Sequence, residues 1–416
     1  MSESNSSYAA FVGIDWADQK HDVCLIEGER HELCELRHTP EAIDAWARDL
    51  EDRFGGRPVA VCLEQSRGPL MHALMKYSCL ALFPVNPKQL SRFREALGPS
   101  GAKDDPRDAW LLAELLRHHH PRLRPWKPDD GPTRRIRLLA ESRRQLVDDR
   151  TRTGNRLKAL LKEYFPLALT LCGSRVYTES FLRLLARWPS LNALRRARPQ
   201  TVEHVLFAGR KRPENAAEQV AAIRQAVPLV KDPMLIEARG LAAKALVAQL
   251  RALNGAIAEH DQRLEKAMRE HPRADVFRSL PGAGEAIAPR LLAAMGSQTD
   301  RYESAAAVQQ YSGIAPVTRQ SGNSRTVRRR RACPRFLRQT FHEFAQHSIG
   351  SSRWARALYR LQRQRGKKHH TAIRSLAYKW IRIIYRCWQT NTRYNEPQHL
   401  DNLRRKNAPL LAYLDP

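Results

Sequence analysis

The run Val59-Ala60-Val61-Cys62-Leu63 is apolar at every one of its five positions. It is too short for a helix, and a strand that is apolar on both faces is a parallel strand buried inside a sheet. That reading constrains its flanks, because parallel strands need helical crossovers. Pro40–Arg53 has helical periodicity and is closed by Gly55-Gly56. Pro69–Tyr77 and Pro87–Leu97 read as helices on either side of a further strand, Leu80–Val85. Upstream, Tyr8–Trp16 reads as a buried strand, Ala17-Asp18-Gln19-Lys20 as a hairpin turn, His21–Glu27 as a second strand and Glu32–His38 as a weaker third.

The order β-β-β-α-β-α-β-α, with a last helix over Trp110–Leu116, predicts a ribonuclease-H-like α/β domain across residues 8–120. Two of its strands end in carboxylates, Asp15 and Glu64, and ligand sites in open α/β sheets lie at the carboxyl ends of strands. Asp105 and Asp108 stand three apart where Pro106 opens a helix, which puts both on one face of its first turn. Acidic residues at a helix start also serve the helix dipole, with no metal involved. Four acids on one apolar frame suit magnesium or manganese equally well, and paired ions of that kind clamp both oxygens of a phosphodiester undergoing displacement.

Charge is divided between the two parts of the chain. Of 416 residues carrying a formal +28, residues 1–110 hold a net of −5 and residues 111–416 a net of +33. Such an excess goes beyond solubility and predicts a polyanionic partner. Seven cysteines with no Cys-x-x-Cys pair exclude a disulfide framework or a zinc ribbon, and Cys24, Cys62 and Cys79 read as core residues. Met1–Ser7 lacks a signal pattern and no apolar run reaches membrane-spanning length, so a cytoplasmic, nucleoid-associated protein without a membrane partner is expected.

A Pro-rich break over residues 121–132 follows the His118-His119-His120 triplet, which reads as a helix terminus rather than a metal tract. Thr133–Phe165 and Pro233–His271 are long helical patterns around short pieces broken by prolines, predicting a helical coiled-coil arm with an insert over 130–272. Leu280-Pro281-Gly282-Ala283-Gly284 before a helix looks like a helix-hairpin-helix turn whose backbone, at Gly282 and Gly284, would meet a phosphate. From Thr318 to Arg338 there are eight arginines and no acid, among them Arg319, Arg325, Arg328, Arg329, Arg330 and Arg331. From Phe344 to Asn395 there are twelve basic residues and no acid, Lys367 and Lys368 included, with Trp354, Tyr359, Tyr378, Trp380, Tyr385, Trp388 and Tyr394 interleaved. That pattern suits nucleic acid, while some of the aromatics must be core. Ser321, in a Gly-flanked loop among these arginines, is either a turn residue or a hydroxyl aimed at a neutralised phosphate, with Ser324 as its competitor.

Val12-Gly13-Ile14-Asp15, Cys62-Leu63-Glu64-Gln65-Ser66, Val85-Asn86-Pro87 and Gly101–Ala109 together resemble the N-terminal RuvC-like domain of the DEDD transposases of the insertion-sequence-110 family. Leu280–Gly284, Tyr311–Pro316, Ser321-Gly322 and Pro334–Gln339 resemble that family's C-terminal transposase domain, here 273–395 with a tail over 396–416. Cys333-Pro334 departs from the Gly-Asn pair of many members. Carried over by position, the resemblance implies Asp15, Glu64, Asp105 and Asp108 as magnesium ligands (manganese as substitute) and Ser321 as nucleophile. Asp104 competes for the third place if the register shifts by one. The resemblance further implies a phosphoserine intermediate, no ATP, donor and target double-stranded DNA, a structured noncoding guide RNA (the bridge RNA), and dimers assembling into a tetramer. Two rivals follow from the same residues: a Holliday-junction-type nuclease in which metal-activated water cuts, and a non-catalytic nucleic-acid-binding scaffold.

Overall fold

The computed structural model describes residues 8–64, 68–97, 105–172, 176–208, 214 and 216–414. The chain divides into two compact units, residues 1–128 and 129–416, and the division falls inside the Pro-rich stretch.

The first unit is built on a five-stranded sheet of β1 (Ala10–Asp15), β2 (Lys20–Glu27), β3 (Arg30–Arg37), β4 (Val59–Leu63) and β5 (Leu80–Pro84), in the order β3-β2-β1-β4-β5. β1, β2 and β3 are antiparallel neighbours, while β1–β4 and β4–β5 are parallel, so β4 is a buried inner strand as its composition demands. Around it run α1 (Pro40–Arg53), α2 (Pro69–Leu74), α3 (Pro87–Leu97) and α4 (Asp105–His119). Alternation along the strands separates two cores. Val12, Ile14, Val61 and Leu63 pack with Ile43, Ala47, Leu50, Leu70 and Leu74 of α1 and α2. Phe11, Ala60, Cys62 and Phe83 pack with Leu111, Leu112, Leu115 and Leu116 of α4. The edge strand β3 is exposed along most of its length, and its charged residues discourage pairing with another chain.

The second unit is helical apart from one hairpin. Two long helices, α5 (Gly131–Tyr164) and, after the five short helices α6 (Leu167–Cys172), α7 (Glu179–Arg187), α8 (Leu191–Arg195), α9 (Pro199–Phe207) and α10 (Ala216–Gln225), α11 (Pro233–Glu270), lie antiparallel. They tie two cores together. Leu157, Leu161 and Tyr164 join Leu246, Val247 and Leu250 in a core closed by the short helices. At the other end Ile136 and Ala140 join Leu264, Ala267 and Met268 in the C-terminal core. Between the cores the contacts turn polar: Arg143 pairs with Asp261, and Arg150 donates to Asn254 Oδ1 at 3.2 Å. The ends of the long helices thus belong to two globular cores.

The C-terminal core also takes α12 (Ala274–Arg278), α13 (Gly284–Met295), α14 (Ala305–Tyr311), α15 (Arg335–Ser351), α16 (Arg353–Gln364), α17 (His369–Thr390) and α18 (Glu396–Arg405). Trp354, Trp380 and Trp388 are at its centre, essentially without exposure. Each indole N–H finds an acceptor: Trp354 at Tyr394 Oη (2.6 Å), Trp380 at Ser348 Oγ (2.8 Å) and Trp388 at the Gly296 carbonyl (2.7 Å). These tryptophans are core residues, and the stacking platform expected of the interleaved aromatics does not include them.

Candidate functional sites

Asp15 is the last residue of β1 and Glu64 follows the last residue of β4; the two strands are parallel neighbours paired through Ile14 and Leu63. The carboxylates therefore leave the sheet at the same edge. Gly13 decides what joins them. A Cβ there would lie 2.0 Å from the Ala109 carbonyl oxygen and 2.4 Å from the Ala113 nitrogen, so only glycine lets α4 lie against β1. His120, beyond the end of α4, packs against Phe11 near the start of β1, so the helix runs opposite to the strand. The first turn of α4, with Asp105 and Asp108, consequently sits at the edge where Asp15 ends.

The two acids of that turn differ. Asp105 is exposed, whereas Asp108 is 2% exposed and is gripped at both oxygens by Arg94 of α3. Asp22 stands opposite Asp15 in the β1–β2 ladder. Lys20 is held above its usual range first by its ion pair with Glu35, then by the charges of Asp22 and Asp105. Buried His21 ties down the β1–β2 turn: the Ala17 N–H donates to Nδ1 (3.2 Å), Nε2 meets His38 Nδ1 (2.9 Å), and Trp16 stacks on the ring. Burial, and then His38, push the His21 imidazole down to about 4. Neither Arg94 nor His21 stands out in the sequence, because each owes its place to a partner brought in by the fold.

Carboxylate oxygens are the donor type that suits a divalent magnesium- or manganese-type ion. Among the described residues no three His, Cys, Asp or Glu side chains come close enough together to hold a metal, and the cation on Asp108 is Arg94. Asp104 lies outside the described residues.

In the second unit Ser321 is not in an irregular loop. It ends β6 (Val317–Ser321) and pairs with Ser324 at the start of β7 (Ser324–Arg328). Gly322-Asn323 closes the hairpin, with Gly322 at φ +53° in the first central position, as a two-residue type II′ turn requires. That dipeptide between alternating Thr and Val positions was the signal that could have revealed the strands. Cross-strand pairing puts Ser321 on one face with Arg319 and Arg328, and Arg325 on the other. Ser321 is exposed and no Cβ-clashing neighbour crowds the turn at Gly322. Ser324 is equally exposed.

Gly282 has a packing reason to be glycine: at φ +80° its Cβ would lie 2.8 Å from the His347 backbone. Gly284, at φ +53°, is open, in a 220 Å³ cavity lined by Glu265, Glu285 and Arg278 among others. Arg330 is partly shielded while Arg331, Lys367 and Lys368 are exposed.

Residues 12–166 match a family described as a transposase, of the DEDD type, and residues 274–360 match the Transposase IS116/IS110/IS902 family. The mini-circle protein of Streptomyces coelicolor named as a transposase for IS117 is 30% identical over 416 residues, covering 97% of this chain and 98% of its own. The 43.6 kDa protein of insertion element IS110, also from Streptomyces coelicolor, is 29% identical, with 72% and 73% covered. The 42 kDa protein of insertion element IS900 from Mycobacterium paratuberculosis is 29% identical, with 70% and 73% covered. Mixed α/β unit, helical unit and matched segments together define the class, a DNA transposase. The chain belongs to the IS116/IS110/IS902 family of insertion-sequence transposases. Membership implies a DNA substrate and, in general, a divalent metal. Among the described residues no helix is long and apolar enough to cross a membrane.

Proposed function

We propose that this transposase cuts and rejoins donor and target DNA through Ser321, with the first unit acting as a ribonuclease-H-like, RuvC-type metal domain. The observation that carries the reading is the glycine-dependent seating of α4 against β1, which brings the helix start bearing Asp105 and Asp108 towards the end of the sheet where β1 and β4 stop at Asp15 and Glu64. Those four residues would hold magnesium, whose charge would neutralise the attacking and leaving oxygens of a phosphodiester.

The hairpin suits the nucleophile. Arg319, two residues away on the same face, would bind the scissile phosphate, lowering the cost of bringing a hydroxyl to an anion, and Arg328 continues the positive face towards the open end of the hairpin. Ser321 Oγ attacks phosphorus, its proton passes to a base, and the bond from phosphorus to one DNA oxygen breaks, that oxygen taking up a proton. Residues 317–328 hold no carboxylate or histidine, so the base comes from outside the hairpin. The phosphoserine ester retains the energy of the broken bond, and attack by a free DNA hydroxyl releases Ser321 and reseals a strand without ATP. The excess of positive charge after residue 110 suffices for a structured guide RNA as well as DNA, and the paired α5 and α11 suit assembly of protomers into dimers and tetramers.

The test combines purified protein, the element's noncoding RNA, labelled donor and target duplexes and magnesium, resolved on a denaturing gel. Label attached to protein in the wild type, and lost in both Ser321→Ala and Asp15→Ala, is the expected result. Free nicked DNA persisting in Ser321→Ala would instead mean cutting by metal-activated water.

A further inference from the structure

Four basic side chains from three segments meet at the foot of the Ser321 hairpin. Arg329 is the first residue beyond β7, His342 lies midway along α15, and His370 and Arg374 lie one turn apart at the start of α17. The His342 and His370 rings are 5.5 Å apart, tilted by 38°. Arg374 is steadied by donating from Nη2 to Thr371 Oγ1 at 3.2 Å. Among the described residues no carboxylate pairs with Arg329 or Arg374. The adjacent acid, Glu343, is already taken by Arg290 Nη1 at 2.5 Å and Arg144 Nη1 at 3.3 Å.

We infer that Arg329, His342, His370 and Arg374 form a binding site for a backbone phosphate of the DNA strand presented to Ser321. The inference rests on the hairpin being the element that faces DNA. Like charges brought together without a counter-ion are costly, and an anion with several acceptor oxygens removes the cost. Two guanidinium groups and two imidazoles offer donors from different directions, and the free backbone N–H groups at the start of the 22-residue α17 add to the same field. Lys367 and Lys368, exposed just before α17, continue the positive surface along a strand.

Burial first, then His370, Arg374 and Arg329, push the His342 imidazole below its usual range. Burial and Arg329 do the same to Arg374. The titratable and charged groups facing His342 are His370, Arg374, Arg329 and Glu343. On the helices packed beside it, Arg290 of α13 is engaged with Glu343, and Arg356 of α16 is turned to the Ile349 and Gly350 carbonyls. A phosphate reverses the repulsion, so His342 gains a proton as DNA binds and affinity strengthens as pH falls from 8 to 6.

The experiment is equilibrium binding of a short duplex DNA of arbitrary sequence to the full-length chain, followed by anisotropy across salt and pH. It is run in the wild type and in a Ser321→Ala background, so that failure of the serine chemistry leaves the binding readout intact. Arg374→Gln is expected to reduce the slope of log affinity against log salt by about 0.9, one phosphate contact, and to weaken binding about tenfold. His342→Asn is expected to flatten the pH response, and His370→Asn, at an exposed position, to flatten it partly without disturbing the core. Wild-type salt slope and pH response in Arg374→Gln and His370→Asn would overturn the site. Losses seen with an RNA duplex and not with DNA would overturn its assignment to DNA.

Discussion

Arg94 and Asp108 form a two-point ion pair in which Arg94 Nε donates to Asp108 Oδ1 at 2.9 Å while Nη2 reaches Oδ2. The carboxylate side chain is only 3% exposed and the arginine 21%. A buried charge stripped of its partner is far costlier than a pair never made. Arg94→Ala is therefore expected to destabilise the first unit by about 3 kcal/mol in chelator. Magnesium should restore part of that loss if Asp108 is a metal ligand. Thermal unfolding with and without magnesium reads both effects, and a midpoint in Arg94→Ala that ignores magnesium would count against Asp108 as a ligand.

Gly13→Ala tests the seating of α4. The added methyl would overlap backbone atoms of Ala109 and Ala113, which no rotamer change relieves. The expected cost is at least about 3 kcal/mol, with α4 and its first turn displaced from β1. Limited proteolysis should cut the first unit of this variant under conditions that leave the wild type whole. Wild-type resistance would mean that the sheet accommodates the methyl.

His21 gives the first unit a pH response with a definite sign. Its folded value, about 4, is below the ordinary histidine value, so the unfolded chain binds the proton more readily. The stability it contributes is complete above pH 6.5 and is lost as the pH falls from there towards 4. His21→Gln should remove that acid-sensitive component, about 3 kcal/mol, while costing stability at neutral pH through the lost packing with Trp16. Urea unfolding at pH 7 and at pH 4.5 separates the two.

Asp129 anchors the second unit. Its side chain is fully buried, accepts the Ser297 N–H at 2.8 Å and receives Arg137 and Arg301 at 2.7 Å each. Burial by itself would raise its carboxyl, but Arg137 and Arg301 outweigh that and hold it below the usual carboxylate range. Its contribution is thus present above the ordinary aspartate value and is lost as pH falls through the lowered one. Asp129→Asn leaves two arginines facing a neutral amide and is expected to cost about 3 kcal/mol. Trp388, bonded to the neighbouring Gly296 carbonyl, makes tryptophan fluorescence a direct reporter of the loss.

What the sequence by itself determined was everything that rests on neighbours along the chain. Val59–Leu63 could only be an inner strand, and it is β4 with the same bounds. The helices over Pro40–Arg53 and Pro87–Leu97 and the long α5 and α11 follow from apolar periodicity and prolines at their starts. Cys24, Cys62 and Cys79 are buried as their apolar surroundings required. Tertiary structure decided what depends on partners far apart in sequence. It separated Asp105 from Asp108, leaving one in solvent and clamping the other to Arg94, because helix spacing fixes a face but not what packs on it. It drew Trp354, Trp380 and Trp388 inward, since an aromatic at helical spacing reads the same in a core as on a nucleic-acid platform. It also set Ser321 at a strand end, opposite Ser324 and on the same face as Arg319, a placement that comes from cross-strand register, which the order of residues alone leaves open.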